Sequence, residues 1–435
     1  MKDGELGEGR RRSARRRWIV LAVVAALVIA SGVYLVWPQI SVKKRLAALR
    51  AAGYPTSFAE LAEYTKLPEG AKNAAGTYEE AFYSFVTPND VNVPLFGSAE
   101  LPGKEERLRP TIAEAISKCL TDNQECLALL REAGAIGHCR YEYDYARMWP
   151  YVRQAKQCAR LLRLATLFHA HSGDSGAAAA FIDDGLWLTN SLAREPGLIG
   201  WTVRSGCIQT SVLTIEQALN VTHLSDEQLR QLDEGFRRAK ETLDVNKVLA
   251  TERCYIIEGF RNPSILSPED ARFIKTPLVG TMNLVDYLDY MADCMEAFKL
   301  PGRQRPARLG EIRKKFEKGS LLHAASKRLA PGALDHFARV DQRVKSLMDL
   351  ARTAIAIERY RLAKGELPER LRELVPEYLE EVPIDPFDGK TIKYRRMEPG
   401  YVLYSVGMDG KDDGGKERTT KKRGEPYDST FVVTR

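Results

Sequence analysis

Ile112, Ala115, Ile116, Cys119 and Leu120 recur at spacings of three and four, which lines one face of an amphipathic helix. That texture runs from Val42 to about Val344. Val152 to His171 and Ala177 to Ala193 predict a helical hairpin, turned at Ser172-Gly173-Asp174-Ser175-Gly176. Its small residues give it the look of one tetratricopeptide-type unit, but no second copy follows at a fixed period, so a helical bundle or irregular α-solenoid is expected. Ser225 before a helix, with Gln228 three positions on, predicts a capping box. Proline-rich stretches at Thr87–Pro110, Arg261–Pro277 and Pro301–Pro306 predict loops.

Around Val344 the pattern changes. Val344, Leu347, Met348, Ala351 and Ile355 predict a last long helix, ending near Lys364-Gly365. Turns at Pro368, Pro376 and Pro383 follow, then Asp385-Pro386-Phe387-Asp388-Gly389. Alternation predicts strands at Thr391–Met397 and Tyr401–Val406, joined through Glu398-Pro399-Gly400, with a third at Ser429–Thr434. The expected fold is mainly α: an N-terminal transmembrane helix, a helical body, then a small C-terminal α+β unit with an antiparallel sheet. Its boundaries are a basic cytoplasmic tail (1–17), the span (18–37), the body (38–343) and the α+β unit (344–435).

The span rests on the uncharged run from Trp18 to Trp37, since roughly twenty apolar residues cross a bilayer as a helix. Trp18, Tyr34 and Trp37 would sit at the headgroups, and the arginines at 10–17 would hold the N-terminus in the cytoplasm. Val28-Ile29-Ala30 offers a signal-peptidase-like alternative, but the apolar run continues through Val36, longer than a signal core. The expected location is the inner membrane, single-pass, with the main domain periplasmic or extracytoplasmic.

The chain of 435 residues has a net charge of +7, and its tail carries seven bases against three acids. The remainder is close to neutral, which argues against a nucleic-acid partner. The seven cysteines form no C-x-x-C and fall mostly in apolar helical patterns, as buried thiols do.

Recognisable catalytic signatures are absent: no H-E-x-x-H, G-x-S-x-G, phosphate loop or G-x-G-x-x-G. His169 and His171 are two apart on one helix and point in different directions, so they do not make a shared metal site. Asp183-Asp184 reads as a polar helix face, and Glu358, Glu366 and Glu369 as surface residues. The unusual stretch is Tyr401 to Gly415, where a strand runs into a loop bearing Asp409, Asp412 and Asp413. Carboxylates so close repel, unless the loop is simply solvated or a cation gathers them.

Three segments in order, R-Y-R-L-A-K-G-E-L-P (359–368), L-R-E-L-V-P-E-Y-L-E-E-V-P-I-D-P-F-D-G-K-T-I-K-Y (371–394) and P-G-Y-V-L-Y-S-V-G-M-D-G-K-D-D-G-G (399–415), resemble the globular part of the major pseudopilins of type II secretion systems. The resemblance implies a calcium-binding loop, with ligands at the Val406 carbonyl, Asp409 and Asp428 and with Asp412 and Asp413 in reach. Calcium takes six to eight oxygens in flexible geometry, which such a loop suits. Five bases between Lys416 and Pro426 oppose it unless they point away. The apolar run at Trp18 lacks a pseudopilin's acidic residue and a long body follows it, so the unit is read as reused rather than assembled into a pseudopilus. G-Y-P-T-S-F-A-E-L-A-E-Y (53–64), N-A-A-G-T-Y-E-E-A-F (73–82) and L-A-R-E-P-G-L-I (192–199) resemble a group of membrane-anchored proteins of planctomycete-type bacteria, which implies topology and no activity.

Two functions follow as expectations. One is a membrane-anchored, non-enzymatic envelope protein whose terminal unit binds other envelope proteins, in secretion or envelope assembly. The other is an envelope enzyme of hydrolase type with its site in the helical body. A cleft holding carboxylates of strongly shifted pKa would favour the second.

Overall fold

The computed structural model describes residues 18–19, 21–25, 36–104, 106–142, 151–195, 197–274, 277–318, 327, 334–417 and 427–435. Across these the chain is mainly helical, with one three-stranded antiparallel sheet near its C-terminal end.

A helix over residues 36–51 (α1) is followed by α2 (Phe58–Tyr64), α3 (Ala75–Ser84), α4 (Pro110–Asp122) and α5 (Gln124–Ile136). The expected hairpin forms as α6 (Val152–His171) and α7 (Ser175–Ser191). Gly173 turns it at φ +80°, and Asp174 caps α7 by accepting the Ala177 amide at 2.9 Å. Next come α8 (Gly197–Val221) and α9 (Asp226–Glu241). The capping box is present: Ser225 Oγ accepts the Gln228 amide at 3.2 Å and Gln228 Oε1 accepts the Ser225 amide at 2.8 Å. The body continues through α10 (Val245–Arg261), α11 (Pro268–Ala271), α12 (Pro277–Phe298) and α13 (Arg305–Glu317).

The last helix, α14, runs Leu334–Lys364, ten residues longer at its start than the pattern from Val344 predicts. Leu334, Phe337 and Ala338 are buried and extend its packed face backwards. The strands are β1 (Lys393–Arg396), β2 (Tyr401–Ser405) and β3 (Ser429–Val433), in the order β1-β2-β3. Tyr401 pairs with Arg396 on one side and Val433 on the other.

Two apolar clusters hold the molecule. One joins α3 to α6 through Tyr78, Phe82, Ile116, Leu130 and Leu161. The larger runs through α8, α9, α10, α12 and α14 and continues into the sheet at Tyr401, Leu403, Phe431 and Val433, so body and sheet share one core. Helix α8 contributes to both clusters and is buried along most of its length, as a central helix is.

Three expectations are corrected. Among the described residues no helix is long and apolar enough to cross a membrane, so neither the transmembrane helix nor the single-pass inner-membrane placement stands. Residues 20 and 26–35 of the expected span lie outside the described residues. Its end at Trp37 is exposed and begins α1, an amphipathic helix that buries Ser41 and Leu46 and pairs Arg45 with Asp289 at 2.7 Å. Glu358 is no surface residue: it is 2% exposed on α14. Asp184 is also buried, pairing with Arg131 at 2.8 Å, while its neighbour Asp183 accepts from Gln231 at 3.0 Å. All seven cysteines are free and buried, as their apolar surroundings predict.

The turn between β1 and β2 depends on Gly400. Its φ is +89°, and an added Cβ would lie 1.8 Å from the Val433 carbonyl oxygen. Gly365 has a similar φ of +79° but open space around it. Gly365→Ala should cost only the backbone part, about 1 kcal/mol. Gly400→Ala adds a collision with β3 and should cost clearly more, as read by urea unfolding of the two variants side by side.

Candidate functional site

Asp385 fixes the start of the acidic loop. This carboxylate is fully buried and accepts from Ser405 Oγ (2.9 Å), the Val406 amide (2.9 Å), the Phe387 amide (3.0 Å) and Lys393 Nζ (3.2 Å). The end of β2 is thereby tied to the Asp-Pro turn that precedes the sheet. The loop then tightens: Gly407 has φ +71°, and its carbonyl accepts the Gly410 amide at 3.2 Å.

Beyond that point three of the four expected carboxylates come together. Asp428 is 2% exposed, and its two oxygens accept the amides of Asp413 (3.3 Å) and Gly415 (2.7 Å). Burial raises its pKa, the two amides oppose the rise, and the nearby charges of Asp413 and Asp412 add to it. Asp412 accepts the Gly414 amide at 3.0 Å, and Asp413 Oδ2 is buried with no donor among the described residues. Asp409 stands apart: it is exposed, and its carboxylate accepts the Lys411 amide at 3.1 Å. Val406, whose carbonyl belongs to the expected set, is buried between the sheet and the loop. Backbone amides thus supply much of the positive partner that crowded carboxylates need. Among the described residues no group of three or more His, Cys, Asp or Glu side chains stands ready to hold a metal ion. His169 instead approaches Asp174, Nδ1 to Oδ2 at 3.4 Å.

The loop folds back over the second face of the sheet. Gly415 (φ +78°) packs so closely that a Cβ there would come within 3.0 Å of the Tyr404 ring. Of the basic stretch between Lys416 and Pro426, residues 418–426 lie outside the described residues.

The outer edge of β3 is closed by side chains of α8. Glu216 Oε1 accepts the Val432 amide at 2.8 Å, Asn220 Nδ2 donates to the Val432 carbonyl at 2.8 Å, and Asn220 Oδ1 accepts the Thr434 amide at 2.8 Å. Together they present to β3 the donors and acceptors that a fourth strand would. Lys104, from the proline-rich loop, pairs with Glu216 at 2.9 Å and with Glu417. Burial raises the Glu216 carboxyl and the Lys104 charge opposes it. Nearby, buried Glu358 accepts from Tyr401 Oη (3.0 Å) and pairs with Arg435 (3.0 Å) and Arg361.

Sequence reasoning missed Asp385, Glu216, Asn220, Lys104 and the role of Glu358. Glu216 alone carried a signal, as an acid beside Ile215, Ala218 and Leu219 in an apolar helix.

Comparison of the chain with known protein families, with curated proteins and with solved structures finds no match.

Replacing Glu216 with Leu would leave the Val432 amide without its acceptor and Lys104 with Glu417 as its remaining partner. A loss of about 3 kcal/mol in unfolding free energy is expected, as for a broken buried pair. Hydrogen exchange should quicken at Val432 and Thr434 and stay unchanged in α3 to α5.

Proposed function

We propose that this chain is a non-enzymatic interaction protein, a helical scaffold that carries a small pseudopilin-like sheet and presents its acidic loop to a protein partner. What supports this is the asymmetry of the sheet. Its β3 edge is closed by Glu216 and Asn220, whereas the loop at 409–412 faces solvent. A rigid base beneath an exposed loop is the usual arrangement of a recognition surface.

Calcium is the loop's proposed ligand. The Val406 carbonyl, Asp409, Asp412, Asp413 and Asp428 form the candidate set, and the buried, donorless Asp413 Oδ2 is the oxygen most in need of a cation. A dication shared by these carboxylates would replace repulsion with attraction. Because body and sheet share a core, the test uses the full chain. Calcium at a hundredfold excess over its dissociation constant should add about 2.7 kcal/mol of stability relative to chelator. Asp413→Ala should abolish the gain and Asp409→Ala, which removes the carboxylate that stands apart, should reduce it less, with magnesium as the control ion. An unchanged melting temperature in calcium removes the metal from the proposal. Affinity capture with Asp409→Lys/Asp412→Lys as the comparison bait then tests the loop as a protein contact, and equal recovery of the same partners by both baits counts against it.

The enzyme reading draws its support from the buried carboxyls of raised pKa in the helical body, among them Glu195, which burial pushes up to about 8. The cavity beside it is lined by no serine, cysteine or histidine among the described residues, which speaks for binding rather than acyl transfer.

A further inference from the structure

We propose that the outer edge of β1 is a docking site for an extended acidic segment of a partner protein, which joins the sheet as a further strand. The site does not involve the acidic loop.

The register decides which groups of β1 lie on that edge. Met397 donates its amide to the Gly400 carbonyl at 2.7 Å. In an antiparallel pair the bonded positions alternate, so Arg395 and Lys393 bond β2 opposite Val402 and Tyr404. Tyr394 and Arg396 then turn their amides and carbonyls outwards. The far side of β2 gives the same answer. Val432 and Thr434 turn outwards to Glu216 and Asn220, so Val433 bonds Tyr401, and Val402 is left to bond Arg395.

No group among the described residues meets the outward amides and carbonyls of Tyr394 and Arg396. The chain covers this edge only as far as Ile392, whose amide donates to the Pro383 carbonyl at 3.0 Å beside the Ile384–Thr391 bridge. Pro368 and Glu369 meet side chains and leave the strand's backbone alone. Tyr394 Oη donates to the Pro368 carbonyl at 2.8 Å, and Arg396 pairs with Glu369 at 3.7 Å. The sheet thus has one edge closed by α8 and one edge open to a strand.

Charge selects the occupant. Residues 390–398 hold Lys390, Lys393, Arg395 and Arg396 against a single acid, Glu398. Lys393 is engaged by Asp385 and Asp388, and Arg396 by the exposed Glu369. Arg395 is exposed and forms no ion pair among the described residues. Like charges opposite one another destabilise a strand pair, so the β1 of a second copy is disfavoured here. An acidic strand meets the opposite condition. Lys393 and Arg395 project from one face and Tyr394 from the other, so the segment that fits alternates acidic with apolar residues. Ile384, 54% exposed where the chain leaves the edge, offers an apolar contact at one end. Main-chain bonds then supply affinity and the side chains supply choice.

The probe is a capped hexapeptide of alternating glutamate and valine, with its lysine–valine counterpart as control, added to the full chain. At saturation the glutamate peptide should slow hydrogen exchange at the Tyr394 and Arg396 amides by at least ~10-fold. Exchange at Lys393 and Arg395, already bonded to β2, should change by less than ~2-fold. Arg395→Glu should weaken binding by ~10-fold, read by fluorescence anisotropy of the labelled peptide. Arg396→Pro removes an outward amide without touching the bonds to β2, and should abolish binding. Arg396→Ala keeps that amide and should weaken binding by no more than ~5-fold. Absence of saturable binding, equal binding of the lysine peptide, or binding without slowed exchange at Tyr394 and Arg396 would each overturn the assignment. So would a dimer in sedimentation equilibrium that Arg396→Pro dissolves, since a second copy would then occupy the edge. If Arg396→Pro does not fold, the exchange pattern of the unaltered chain decides.

Discussion

Glu216 holds together three stretches of chain that are far apart in sequence. Its carboxylate lies in the central helix, accepts an amide from the outermost strand and neutralises a lysine from the proline-rich loop. A buried carboxylate is costly unless it is paired and hydrogen-bonded, so the position of the strand and the course of the loop are conditions for the helix to carry that residue at all. Asn220, one helical turn on, completes the arrangement by matching both polarities of the strand's edge. The body is thus an obligate partner of the sheet.

The same device recurs at each junction. Asp385 gathers four donors where the Asp-Pro turn meets β2. Glu358 gathers a tyrosine and two arginines where α14 meets β2 and Arg435. Asp428 is met by two amides where the acidic loop returns to the sheet. Apolar burial supplies most of the stabilisation, but it tolerates sliding. A buried carboxylate with a fixed set of donors does not, and it gives each junction a single register. The Glu195 carboxyl breaks this pattern because one of its oxygens remains unmet.

Local features were legible in the sequence because they depend on neighbours. The capping box at Ser225 and Gln228, the hairpin turn at Gly173 and the three strands follow from contacts within a few residues or from period-two alternation. The reading failed where distant chain decides. Glu358 resembles a solvated helix residue until Tyr401 and Arg435 are placed against it. The run at Trp18–Trp37 satisfies a length criterion for a bilayer, but hydropathy takes no account of the core of the body, against which Val42, Leu46 and Leu49 of the following helix pack. For the acidic loop, the sequence brings Asp412 and Asp413 together and the resemblance adds Asp428, whereas the amides that engage Asp428 could not be read from either.

The closure of β3 by α8 also bears on kinetics. Val432 meets Glu216 across 216 positions and Thr434 meets Asn220 across 214, among the most distant contacts in the chain. Contacts of such sequence separation form slowly, because the intervening chain must be organised first. Until they form, Ile215 and Leu219 on the helix and Phe431 and Val433 on the strand lie open to solvent, beside a strand edge without partners. A body folded ahead of its last strand is then the species most prone to join a second copy, with a neighbouring chain's β3 able to occupy the vacant groove. The pairing that makes the native fold specific also defines its most accessible route to domain swapping.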